Sequence, residues 1–88
     1  MKTIVASVGH GGLNRTDDVR LIQELLNHHM QPPQPPLVVD GIMSPRTIAA
    51  IAAFQRRVLN IHRPDERIQP GDSTMVALTR QAEQTLTP

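Results

Sequence analysis

The side chains able to do chemistry in this chain are few and scattered. His10, His28, His29 and His62 are the candidates for a metal set. A zinc site on a helix needs ligands three or four residues apart, so that they share one face. His28 and His29 are adjacent and point to different sides, and the positions one turn further on are Pro32 and Pro33. No metal and no cofactor are expected. A serine nucleophile needs a histidine and a carboxylate gathered in a preformed cleft, which a very small helical domain rarely provides. Ser7, Ser44 and Ser73 read instead as loop and cap residues, and with no cysteine there is no thiolate nucleophile. The residues point to a non-catalytic module.

Charge and aromatic content exclude further classes. Nine Lys plus Arg against eight Asp plus Glu leave a net charge of +1, which offers no broad field to nucleic acid or to an anionic membrane. The one aromatic is Phe54, so platforms that stack bases or sugar rings are missing. A DNA-reading helix-turn-helix is the natural competitor for a three-helix chain. Its candidate recognition helix, starting at Ser73, carries only Arg80, and Arg56 with Arg57 forms the only basic pair, expected on the solvated side of the second helix. Partners are therefore expected to include neither nucleic acid nor membrane.

The elements that must position these residues follow from periodicity and punctuation. With 88 residues there is room for one domain, and its core must be aliphatic apart from Phe54. Lys2 to Val8 reads as a short extended lead-in, ending in the turn Gly9-His10-Gly11-Gly12. Thr16, Asp17 and Asp18 offer a helix start, and Val19, Ile22, Leu25, Leu26 and His29 follow at helical spacing, which predicts a first helix over 17–29. The run Gln31-Pro32-Pro33-Gln34-Pro35-Pro36 is a stiff spacer, because four prolines remove backbone donors and fix φ. Leu37 and Val38 after it are expected to be exposed. Asp40-Gly41 marks a turn, and Ser44-Pro45 starts a second helix whose apolar stripe is Ile48, Ile51, Ala52, Phe54, Val58 and Leu59. Pro70-Gly71 marks another turn, with Asp72 or Ser73 capping a third helix through Met75, Val76, Leu78 and Ala82. The expected fold is all-α, a compact three-helix domain over 1–83 with long loops, and residues 84–88 form a tail or the start of a linker.

A weak duplication is also present. Ile22-Gln23 followed by Leu26 matches Phe54-Gln55 followed by Val58. Each helix leads to an apolar entry, a glycine turn and a capped helix: Val39-Asp40-Gly41 then Ser44 to Thr47, and Ile68-Gln69-Pro70-Gly71 then Ser73-Thr74. The physical reading of these positions is structural. Gln23 and Gln55 are expected to bond loop carbonyls, Thr47 to bond at the helix start, and Phe54 to be core.

Val39-Asp40-Gly41, Pro45-Arg46-Thr47, Ile51 and Phe54-Gln55 resemble the signature of the peptidoglycan-binding-domain-like family, whose pattern is apolar-Asp-Gly, a short gap, Gly-Pro-Lys-Thr and then Phe-Gln. Asp18-Val19, Ile22-Gln23 and Leu25-Leu26-Asn27 are similar to its first helix, and Ile68 to Leu78 to its last, so the resemblance spans about residues 7–80. Ser44 stands where the family commonly has glycine and Arg46 where it has lysine; serine is the better cap and arginine keeps the charge. The resemblance implies a small three-helix module, not itself catalytic, of the kind usually fused to cell-wall amidases, muramidases or peptidases.

That resemblance makes peptidoglycan the expected partner. Peptide stems present carboxylates, amides and an amine, which polar loop residues can pair with, and the expected contacts are Asp40, Met43 and Arg46 before or at the second helix with Arg63 and Asp72 before the third. The module would then target a fused hydrolase or a secreted effector. The alternative is a protein-interaction adaptor that docks an effector onto a secretion apparatus through Leu37, Val38 and the proline loop. Thr3 to Val8 is far shorter than a secretory apolar region, so synthesis in the cytoplasm and action in the periplasm or at the cell wall after non-classical export are expected.

Overall fold

The computed structural model describes residues 3–29 and 35–86, with side chains through Arg80. The proline spacer therefore lies largely outside the described residues. Three helices form, α1 (Thr16–His29), α2 (Pro45–Leu59) and α3 (Ser73–Leu86), and they pack pairwise as the mostly helical domain expected. Among the described residues no helix is long and apolar enough to cross a membrane.

Local chemistry explains the boundaries. Ser44 sits in extended backbone and its Oγ accepts from the Thr47 N–H at 3.3 Å, while Pro45 takes the first helical position, where a missing N–H costs nothing. Asn60 closes α2 in the left-handed region, φ 57°, and its N–H reaches Gln55 O. Asp72 caps α3: Oδ1 accepts from the Met75 N–H at 2.8 Å and Oδ2 from the Gln69 N–H at 2.9 Å. The helix then runs on to Leu86.

The core is aliphatic around one ring. Phe54 is 1% exposed, with Val19, Ile22 and Leu26 from α1, Ile51 from α2, and Met75 and Leu78 from α3 buried beside it. Ile4 and Val8 of the lead-in also enter the core. Two devices hold them there. Asp18, read from sequence as first-turn charge, is buried, and its two oxygens accept from the Val5 and Ala6 N–H groups at 3.0 Å each. The lead-in then forms β1 (Val8–Gly9), which pairs antiparallel with β2 (Arg67–Ile68) in the α2–α3 loop. This small sheet is not anticipated by the sequence reading, because two-residue strands carry no alternation pattern.

One other expectation is corrected and one is extended. Leu37 is buried rather than exposed: Asn27 donates to its carbonyl (3.0 Å) and accepts from its N–H (2.7 Å), which turns the side chain inward. Arg57 is exposed, as expected, yet it also serves the fold by donating to the terminal carbonyl of α1, His29 O, at 2.9 Å.

Candidate functional site

The site is built on Gln23, a side chain only 1% exposed. Its Oε1 accepts from the N–H groups of Asp40 (3.1 Å) and Gly41 (2.9 Å), while Nε2 donates to Asp40 Oδ1 (3.2 Å), Ile42 O (3.2 Å) and Thr47 Oγ1 (3.3 Å). One side chain of α1 thus fixes both the loop and the first turn of α2. Glycine is required in that loop. Gly41 has φ +75°, and a Cβ there would lie 2.6 Å from Thr16 Cγ2 and 2.9 Å from Thr16 O.

The duplication read in the sequence is real, with a shifted register. Gln55 Nε2 donates to Asp65 Oδ1 (3.0 Å), Arg67 O (3.3 Å) and Thr74 Oγ1 (3.2 Å), and Oε1 accepts from the Glu66 N–H (3.2 Å). The partner of Asp40-Gly41 is therefore Asp65-Glu66, not Pro70-Gly71. The sequence concealed this because Glu66, at φ 60°, occupies the left-handed position that Gly41 holds in the first copy.

Beside the first cluster lies a half-open groove of about 140 Å³, lined by Gln23, Leu37, Val38, Asp40, Ser44, Arg46 and Thr47. Asp40 and Arg46, both expected contacts, are among its lining residues. Asp40 is exposed, and the Ile42 N–H, followed by the Gln23 amide, holds its carboxyl below the ordinary value of 3.8, so it is negative at neutral pH. Arg46 is exposed at the start of α2. Among the described residues the ion pair present is Arg20–Asp17 at 3.2 Å, which leaves the Arg46 guanidinium available. The groove lining thus carries one anion and one cation that makes no ion pair among the described residues.

The other expected contacts stand apart. Met43 is half-buried against the core, Arg63 is exposed on the α2–α3 loop, and the Asp72 carboxylate is engaged in capping. Val38 (69% exposed) and Ile42 (65%) add an apolar rim near the groove. Of the lining residues, Ser44 carried no sequence signal for a site, being read as a cap alone, while Leu37 was read as part of an exposed docking patch with Val38. The histidines do not converge. His10, His28 and His62 are exposed, and His29 packs its ring 4.9 Å from that of Phe54, with Nε2 3.2 Å from Leu78 O.

The family model described as "Putative peptidoglycan binding domain" matches residues 15–58, half of the 88-residue chain. The match begins just before α1 and ends one residue short of the end of α2, so it contains the first glutamine cluster and the groove. No curated protein and no solved structure matches the chain at a significant level.

Proposed function

The chain belongs to the peptidoglycan-binding domain family, and on that footing we propose that it holds peptidoglycan by the peptide stems, in the groove beside the α1–α2 loop. The observation that carries the reading is that two oppositely charged side chains, Asp40 and Arg46, line the same groove. A stem offers an amine to the first and a carboxylate to the second, both as charge-assisted hydrogen bonds. Sugar rings are the poorer ligand here, since the lone aromatic, Phe54, is sealed in the core. Met43, Arg63 and Asp72 are secondary contacts in this proposal. The module supplies affinity and no bond-breaking step, and it acts at the cell wall by placing an attached hydrolase or secreted effector on its substrate.

Co-sedimentation with purified sacculi tests this. Arg46→Ala is the informative variant, because Arg46 is exposed and its loss leaves the fold intact, whereas Asp40→Ala would also strip acceptors from Ile42 and Gln23. Losing one charge-assisted bond, roughly 1.5–3 kcal/mol, predicts about 10- to 100-fold weaker retention. Absence of wild-type retention at low salt would remove peptidoglycan as the ligand, and undiminished retention of Arg46→Ala would remove the groove.

A second reading, an adaptor that docks protein, is favoured by the exposed Val38 and Ile42. Val38→Ser with Ile42→Ser separates the two: loss of protein capture with sacculus binding intact would support the adaptor, and the reverse would dismiss it.

A further inference from the structure

The turn Gly9-His10-Gly11-Gly12 plays no part in the groove, yet its geometry is closely specified. Two of its glycines are explained by packing. A Cβ on Gly9, φ +117°, would lie 2.2 Å from Glu66 O, and one on Gly12 would lie 3.0 Å from Ser7 O. Gly11, φ +72°, differs: the atom a Cβ there would meet is Arg67 Nη1, at 3.4 Å. The guanidinium of Arg67 therefore lies over the turn.

One donor of that guanidinium is unsatisfied. Its Nε is shut away from solvent with no hydrogen-bond partner, and among the described residues no carboxylate stands within ion-pair distance of it. The turn does not compensate, since none of its carbonyls accepts from Nε, and the Gly9 carbonyl already accepts from the Gly12 N–H (3.0 Å) and the Asn14 side-chain amide (3.1 Å). The backbone of Arg67 is meanwhile fixed, with its N–H on Asp65 Oδ1 (3.1 Å), its carbonyl accepting from Gln55, and its Cα paired with Gly9 across the sheet. A cation held in place, partly desolvated and left without an anion is poised for one, because a buried unpaired donor is costly and a low local dielectric strengthens whatever pairs with it.

We propose that Arg67, lying over Gly11, forms a second ligand subsite that takes a carboxylate, distinct from the groove and sharing no lining residue with it. The planar fork of the guanidinium matches a carboxylate's two oxygens. Because Nε is enclosed, the carboxylate would meet the two Nη groups, of which Nη1 lies over Gly11, a position with no side chain. The subsite rests on the peptidoglycan reading only for the source of the carboxylate, which is a free stem terminus.

The test is a two-dimensional NMR titration of the full chain with a short peptide bearing a free C-terminal carboxylate, with the same peptide as its amide, and with inorganic phosphate. The expected result is saturable shifts of the Gly11 amide and the Arg67 Nε–H with the acid and none with the amide. Arg67→Gln should weaken that binding at least tenfold, and Arg67→Lys, which keeps the charge and the aliphatic stem, should restore part of it. Equal shifts from acid and amide, or a response confined to phosphate, would overturn the carboxylate subsite. Retention on sacculi without any shift at Gly11 or Arg67 would overturn it while leaving the groove standing. Shifts without retention would support the subsite and reject the wall as its source.

Discussion

Replacing Gln23 by methionine isolates what the buried amide contributes. Methionine has nearly the same volume and flexibility, so packing changes little and the loss is that of the hydrogen bonds. Gln23 serves two backbone N–H groups, a carbonyl, a carboxylate and a hydroxyl. Water can replace it at exposed Asp40 and Ile42, and the Thr47 hydroxyl keeps Ser44 Oγ at 3.2 Å, but Gly41 is buried and its N–H would be orphaned. With roughly 1–3 kcal/mol for that orphan and about 1 kcal/mol net for the bond lost at Thr47, the cost comes to about 3 kcal/mol. For a domain of this size each kcal/mol moves Tm by roughly 4–8 °C, so the variant should melt about 12–24 °C lower. Thermal unfolding followed by circular dichroism measures it. The parallel variant Gln55→Met should cost a similar amount, and the two should add, because Thr47 and Gln55 lie eight residues, or ~12 Å, apart on α2. A Gln23→Met variant melting within about 2 °C of the parent would refute the reasoning, and with it the claim that this side chain positions Asp40.

The remaining predictions concern the core and pH. Phe54→Ala should cost roughly 3–5 kcal/mol, since its ring is the only large one in an aliphatic core, whereas Ser44→Ala should cost about 1 kcal/mol for a single cap bond; urea titrations with unchanged m-values would separate the two. Burial, chiefly, holds the His29 imidazole below its ordinary value of 6.5; the Leu78 carbonyl opposes this, and Arg57 and His28 add to it. Stability from His29 is therefore complete above pH 6.5 and is lost as pH falls through the lowered value, so Tm should drop between pH 7.5 and 5 and drop less in His29→Gln. Equal pH profiles for the two chains would show that His29 is not the group responsible.

The helices, their caps and the central ring were legible because each rests on local chemistry: Ser44-Pro45 at the start of α2, three- and four-residue apolar spacing around Ile51 and Phe54, and Asp72 before α3. The roles of Gln23 and Gln55 were legible as well, since a polar side chain beside an apolar stripe must find partners in a nearby loop. What stayed hidden depends on residues far apart in sequence. Val8 pairs with Ile68, and Asp18 collects two N–H groups from the lead-in, but neither strand nor carboxylate announces its partner. Leu37 looked like surface because its burial depends on Asn27, ten residues earlier, across a proline run.

The duplication shows where architecture ends and recognition begins. In both copies the glutamine Nε2 donates to the aspartate and to the threonine, so these residues shape the loops. In the proposed reading, selectivity comes from what each copy adds to that scaffold. The residue two after the aspartate is Ile42 in the first copy and Arg67 in the second, and the residue before the threonine is Arg46 in the first and Ser73 in the second. Each copy thus carries one arginine that the common scaffold does not require, and at a different place. The first arginine faces a groove that already holds an anion, which suits a zwitterionic ligand. The second lies over a bare glycine turn with no carboxylate within ion-pair distance of its guanidinium among the described residues, which suits a lone carboxylate. A repeated scaffold with unrepeated cations is how a domain this small would hold the two proposed subsites at different selectivity.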